Sequence, residues 1–336
     1  MSNLLIGTSG YDYPEWKGVF YPQDLKRKDF LKFYATQFNA LELNNTFYNM
    51  PTAERLYSFY ERSEGKLQFS VKANRLLTHE IDSTWQTAAE DFKTALTPLQ
   101  GKDALSAVLF QLPESFHYTN DNRIYLAKLI QKFEGYPTLI EFRHREWIKE
   151  SVFEGLEKRN AGLVFCDMPQ LKNLPYGMVG PVVSESAWVE PVESERPLSA
   201  VGGFGRRGEA KNSPNAVVEP VETTYTPFIG TNAYIRLHGR NANAWYAHVP
   251  KAQTSIISTH ANGAKATYAA AESHNGSARY CYDYSEDELS QFVPIIKAAV
   301  REGKKVQVYF NNHPNGSGAK NGLKLKEMVS MGIELK

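Results

Sequence analysis

A chain of 336 residues, 42% hydrophobic and 22% charged, can bury a substantial core, and its formal net charge of +1 supplies no global field to recruit nucleic acid or an anionic membrane. Its two cysteines, Cys166 and Cys281, stand in neither a CxxC nor a Cys/His metal pattern, so no disulfide framework is expected and a reducing, cytoplasmic setting fits. No run approaches the roughly 20 apolar residues of a membrane span, and the start from Met1 to Gly10 has no basic segment followed by a long apolar one.

Short β-rich runs bounded by turn residues predict eight strands: Leu4 to Gly10, Ala40 to Phe47, Gln68 to Asn74, Leu105 to Pro113, Thr138 to His144, Gly162 to Pro169, Ala233 to Gly239 and Val306 to Asn312. Helix-length stretches lie between them: Lys28 to Phe38, Ala53 to Ser63, Trp85 to Leu99, Asn122 to Phe133, Lys149 to Asn160 and Glu286 to Arg301. Such alternation requires parallel strands joined by crossover helices. Eight units predict one α/β domain over residues 1–336, a (β/α)8 TIM-like barrel with loop insertions, ahead of a doubly wound open sheet.

Two stretches interrupt the rhythm. Residues 182–226, between strands six and seven, are rich in Pro, Gly, Ser and Glu, and Val189-Glu190-Pro191-Val192-Glu193 recurs as Val218-Glu219-Pro220-Val221-Glu222. This composition predicts a low-complexity surface insertion rather than a binding arm. Ala247 to Arg279, rich in Ala, Ser, Asn and His, follows strand seven and is expected to be either a lid or a plain extended loop.

Side chains alternate across a strand, so Glu42 and Asn44 share one face while Leu41 and Leu43 take the other. Glu141 and Arg143 stand likewise against Ile140 and Phe142, and Arg236 and His238 against Ile235 and Leu237. Repeated charge on one face predicts a shared polar pocket at the strand C-terminal ends. Glu42, Lys72, Glu141, Arg143, Asp167, Arg236 and His238 are expected there together, in reach of solvent. Structural pairing of a Glu with an Arg explains any one of them. For the whole set it is costly, because each buried ion carries a desolvation penalty of about several kcal/mol.

Glu42, Glu141, Asp167 and His238 are candidate proton-transfer groups, with Lys72 either a compact charge or a nucleophilic amine. Arg143 and Arg236 offer forks for an anionic, oxygen-rich substrate, and Ser9, Asn44, Gln111 and Asn311 supply further polar contacts, with Asn312 beside the last. Trp16 is a candidate stacking surface, along with the aromatic segments around Phe47 and Trp245. Glu42, Glu141, Asp167 and His238 are also types that ligate divalent ions, but the cations on the same strands would repel a metal, and no metal ligand is assigned. Nothing in the sequence specifies a cofactor or an oligomeric state. Gly7-Thr8-Ser9-Gly10 lacks the spacing of a phosphate loop and is expected to be a tight turn whose small residues let a ligand approach. Cys166, among Val164 and Phe165, is expected to be a core thiol rather than a nucleophile. His79, His144 and Trp147 are expected at the pocket rim or as structural residues.

Several of these segments together resemble the YecE-like family, a TIM-barrel domain-of-unknown-function family. They are Gly7 to Tyr11 with Pro14 to Gly18 and Phe20 to Pro22, then ELNNTFY from Glu42, FSVKA from Phe69 with Thr78-His79, and FQLP from Phe110. EFRHREW from Glu141, Asp167-Met168-Pro169, RLHGR from Arg236, YDYSEDEL from Tyr282 and YFNN from Tyr309 continue the likeness across nearly the whole chain. The resemblance implies a TIM-like barrel and no particular reaction. The two interrupting stretches, and Asn321-Gly322 where Asn-Ala is more usual, depart from the family pattern.

The residues thus predict an enzyme acting on a small polar substrate, anionic or sugar-like, by acid–base chemistry. Two alternatives stay open: a non-catalytic small-molecule binding protein, and a metal-dependent nucleic-acid processing enzyme, the latter on barrel analogy alone. A small-molecule partner is expected, with no membrane and without nucleic acid.

Overall fold

The structure, a computed structural model, describes residues 3–175, 228–246 and 278–331. Its strands β1 (Leu4–Ser9), β2 (Ala40–Leu43), β3 (Gln68–Lys72), β4 (Leu105–Gln111), β5 (Thr138–Glu141), β6 (Gly162–Asp167), β7 (Asn232–Leu237) and β8 (Lys305–Phe310) close into a parallel barrel in sequence order, with β8 pairing back onto β1. The expected α/β barrel is therefore present, and the predicted strands are mainly too long at their C-terminal ends. The second stops at Leu43, because Asn44 turns into the αR region ahead of the short helix Asn45–Tyr48.

Helices Phe30–Gln37, Ala53–Arg62, Trp85–Gly101, Asn120–Lys132 and Glu150–Glu157 occupy the predicted crossovers. Thr52 and Thr119 cap the second and fourth by accepting backbone N–H bonds from Arg55 and Asn122. The stretch expected as one helix from Glu286 to Arg301 is two, Glu286–Ser290 and Phe292–Arg301. Pro294 lies in the first turn of the second, where its missing N–H has no intrahelical partner to lose. A last helix, Ser317–Ser330, was not anticipated by the strand-helix reading.

Alternation divides the strand residues between two apolar clusters. Outward-facing Leu41, Phe69, Phe110, Ile140, Phe165, Ile235 and Phe310 join the helices in the main core. Inward-facing Leu5, Ala107, Leu109, Leu139, Val164, Tyr234 and Tyr309 belong to a second cluster that fills the barrel. Apolar side chains thus occupy the barrel interior beneath the polar strand ends.

Gly7 corrects one sequence expectation. A Cβ there would stand 2.1 Å from the Ala40 carbonyl oxygen, so the glycine lets β1 approach β2 and is not a ligand doorway. Gly10, with φ of +91°, does make the predicted tight turn out of β1. Residues 182–226, and 247–277 of the second interruption, lie outside the described residues. Among the described residues, no helix is long and apolar enough to cross a membrane.

Candidate functional site

The C-terminal ends of β2, β5 and β7 converge on one guanidinium. Arg236 donates from Nε to Glu42 Oε2 at 2.9 Å and from Nη2 to Glu42 Oε1 at 2.6 Å, while its Nη1 donates to Glu141 Oε2 at 2.5 Å. Ser9 Oγ donates to Glu42 Oε1 at 2.6 Å, and the Tyr234 hydroxyl donates to Oε2 at 2.7 Å. Glu42 therefore accepts four hydrogen bonds, and Glu42, Glu141 and Arg236 are no more than 1% exposed. Burial opposes the charge on Arg236, but the Glu141 and Glu42 carboxylates reverse this and hold its pKa well above the ordinary range.

A second layer stands on the first. Arg143 Nε donates to Glu141 Oε1, and Arg143 Nη2 lies 3.1 Å from His238 Nε2. Burial by itself would raise Glu141. The Arg143 and Arg236 guanidiniums outweigh it and keep the carboxyl well below its usual range. His238, buried and facing both guanidiniums, is pushed down to about 3 and is a neutral imidazole at physiological pH. Since Arg143 can only donate, Nε2 accepts and Nδ1 carries the proton. Asn311 Nδ2 is placed 3.0 Å from Nδ1, so with this tautomer the amide satisfies that N–H only when its nitrogen and oxygen are exchanged.

Lys72 reaches the same mouth from β3. Its Nζ donates to Gln111 Oε1 at 2.8 Å and lies 4.4 Å from the centre of the Phe47 ring. Burial first, then repulsion from Arg236 and Arg143, lower this amine to about 7. Cys166 faces inward beside Glu141, and burial and that carboxylate raise its thiol pKa well above normal. It is a protonated, inert thiol, as its apolar neighbours suggested.

Aromatic rings border these groups. Trp245 and Tyr280 lie 6.4 and 6.0 Å from the His238 ring, and Tyr280 is 6.1 Å from His313, which stacks on Tyr13 at 4.6 Å. Tyr234, His313 and Tyr280 escaped the sequence reading. Tyr234 stands two residues before Arg236 on the same alternation, so periodicity could have found it, whereas His313 lies beyond the end of β8 with helical backbone, where alternation no longer applies. Tyr280 carries no comparable signal, because it follows a long segment with no strand pattern.

Ser9, Glu42, Lys72, Gln111, Glu141, Arg143, Arg236, His238 and Asn311 are brought to one barrel end. Other expectations need correction. Asp167 follows inward-facing Cys166 and so points to the helix layer, where it accepts both Arg240 Nε and Nη2 and the Tyr284 hydroxyl at 2.6 Å. Trp16 is no stacking surface: it is wholly buried, and its indole N–H donates to the His313 carbonyl at 2.8 Å. The expected solvent-reachable pocket of seven residues is also corrected, since Glu42, Glu141, Arg236 and His238 are at most 1% exposed, leaving half-buried Lys72 and the edge of Arg143 as the cations that reach outward. Half-buried Asn44 continues the Glu42 face, and its Oδ1 has no hydrogen-bond partner among the described residues. At the rim, His79 is exposed, whereas Trp147 is buried with its indole N–H on the Phe116 carbonyl at 2.6 Å.

A family model described as "Protein of unknown function DUF72" matches residues 5–335. The chain belongs to the DUF72 family. A DUF72 protein of Thermotoga maritima, of known crystal structure, is similar over 97% of this chain and 99% of its own, at 26% identity and a TM-score of 0.70. A DUF72 protein of Enterococcus faecalis is similar over 98% and 97% of the two chains, at 18% identity and a TM-score of 0.66, a likeness of fold. UPF0759 protein YunF of Bacillus subtilis is 22% identical over 98% of this chain and 95% of its own length.

Proposed function

We propose that this DUF72 protein is an enzyme acting on a small polar substrate with an anionic group, or a sugar-like one, by acid–base chemistry at the barrel mouth. The observation that carries this reading is the pairing of Lys72 with the neutral Gln111 amide, where burial first and then the Arg236 and Arg143 guanidiniums lower its pKa to about 7. An amine so placed takes and returns protons at neutral pH. Arg143, anchored through Nε on Glu141, has further N–H groups for a carboxylate or phosphate, and Gln111, Asn311 and the unpartnered Asn44 Oδ1 suit hydroxyls.

In this reading Glu42, Glu141 and Arg236 position the donors above them. Their mutual hydrogen bonds occupy the atoms that proton transfer would need. His238 orients Arg143 and Asn311 through its two ring nitrogens. Asp167 braces the wall. A cytoplasmic setting and the narrower YecE-like grouping accord with the free thiols Cys166 and Cys281 and with the motifs above.

The test is a turnover panel of hydroxy acids, keto acids and sugar phosphates, run beside ligand-dependent melting on the parent protein and Lys72→Met. Turnover with a rate limb near pH 7, lost in Lys72→Met while melting shifts persist, is expected. Melting shifts without turnover would make the protein a binder, and metal-dependent nicking of DNA would favour nucleic-acid processing.

A further inference from the structure

We propose that His117, His144 and Glu146 form a binding site for a divalent transition-metal ion of the zinc type, on the outer rim of the barrel mouth and apart from the Arg236 network. His117 lies in the connection that follows β4, and His144 and Glu146 in the one that follows β5, its hydrogen-bonded neighbour. Donor atoms of all three lie within 4.8 Å of one another. The two imidazoles meet edge to face with ring centres 4.6 Å apart.

The spacing carries the argument. Glu146 Oε2 is 3.4 Å from His117 Nδ1 and 3.5 Å from His144 Nδ1. Both distances exceed the roughly 2.9 Å of a good N–H···O bond. They match the edge, about 3.3 Å, of a tetrahedron whose ligands stand about 2.0–2.1 Å from a central zinc. Both oxygen–nitrogen separations thus already equal a coordination edge, and the two imidazole donors, within 4.8 Å of each other, close the triangle with a small approach of exposed His117.

The surroundings hold this set in place. The Tyr118 backbone N–H donates to Glu146 Oε2 at 3.2 Å and fixes the carboxylate, as partners of metal ligands do. His144 is buried, and the Glu146 backbone N–H reaches its Nδ1 at 3.3 Å, a long contact that an ion at this nitrogen would displace. The nearby cations Arg123 and Lys149 lie over the Tyr118 ring, 5.0 and 4.1 Å from its centre. Among the described residues Glu146 forms no ion pair with an arginine or lysine, unlike the strand-end carboxylates Glu42 and Glu141, so the objection to a metal there does not carry over to this carboxylate. Two imidazoles and a carboxylate form a donor set that suits zinc and its neighbours better than calcium or magnesium. They also leave a coordination position for water or a ligand on the exposed side.

The experiment uses the intact chain stripped with a chelator, then titrated with Zn2+ by calorimetry and with Co2+ by visible absorption. His117→Ala and Glu146→Gln change exposed side chains, and melting curves in the absence of metal establish that each remains folded. One zinc per chain is expected, with intense tetrahedral cobalt bands, and affinity falling by at least about 100-fold in either variant. Cys166→Ala is expected to bind zinc like the parent, which separates this site from Glu141, Cys166 and His238, whose donor atoms also lie within 4.8 Å of one another. Absence of stoichiometric uptake, or uptake that survives both rim substitutions, would overturn the proposal.

Discussion

Lys72 and Gln111 meet across neighbouring strands β3 and β4, with the amine nitrogen 2.8 Å from the amide oxygen, and no carboxylate among the described residues lies within ion-pair distance of that amine. A half-buried cation whose hydrogen-bond partner is neutral is held by geometry and opposed by electrostatics.

The opposition sets a sign for the pH dependence. With a native pKa of about 7 and an unfolded one near 10.4, the unfolded chain binds more protons between those values, so Lys72 makes stability rise with pH across that window. Its burden is complete below about pH 7 and relieved toward pH 10. Lys72→Met is expected to stabilise the protein at pH 6 by about 1–4 kcal/mol, the range for replacing buried ions with apolar groups, and to show less benefit at pH 10. Urea melts at the two pH values check this; a loss of stability at pH 6 would show that the amine has a favourable partner.

Arg236 is the opposite case, a buried cation with two carboxylates. Arg236→Met strands Glu42 and Glu141 together and is expected to cost about 3–5 kcal/mol. Adding Glu42→Gln to that variant is expected to recover part of the loss, and a double-mutant cycle by chemical denaturation measures how much. Additive losses would mean that the two residues do not share one network.

The barrel was legible because each strand announces itself by β-rich composition and by turn residues at its end. The polar inner face was legible at Glu42, Glu141, Arg236 and His238 because i, i+2 spacing is enough to place them. Asp167 was misplaced by proximity to a strand end alone. Its neighbour Cys166 held the inward position, and applying the same alternation there gives the observed outward face. Trp16 could not be settled by pattern, because burial of a loop aromatic depends on which distant carbonyl, here that of His313, receives its N–H. Solvent access was equally hidden, since whether Glu and Arg face each other or a cavity is a tertiary fact.

Asp167→Asn tests that outward assignment. The amide cannot accept from Arg240 at both positions and from Tyr284 as the carboxylate does, so a loss of about 1–3 kcal/mol is expected. Ligand-dependent melting shifts should be retained, in contrast to Arg143→Met. Loss of ligand response in Asp167→Asn without loss of stability would return Asp167 to the site.

The low-complexity segment is expected to be dispensable. The strand order closes directly from β6, ending at Asp167, to β7, beginning at Asn232, so the barrel ladder needs no strand from residues 182–226. Replacing them with a short Gly/Ser bridge should change stability by less than a core truncation, which costs about 2–5 kcal/mol. Failure to obtain a cooperatively folding product would make the segment structural.

His238 predicts an acid-side slope in stability. Its native pKa of about 3 lies below the unfolded value near 6.5, so between these limits the unfolded chain takes up a proton that the native imidazole refuses. Stability therefore falls as pH drops through that window, by at most about 1.4 kcal/mol per unit from this group. Glu141, held well below its ordinary value, acts with the same sign, but only below the usual carboxylate range, which leaves pH 5 to 6.5 to the histidines. His313, lowered to about 4 by burial, and His79, lowered to about 4 by burial and then by Lys72, contribute in the same interval, so the comparison is made in a His79→Gln/His313→Gln background. There, His238→Gln is expected to flatten the stability profile between pH 6.5 and 5. Its side chain can still accept from Arg143, so the fold should survive. An unchanged slope in denaturant titrations would mean that His238 is protonated in the native state, and that the tautomer orienting Arg143 and Asn311 is wrong.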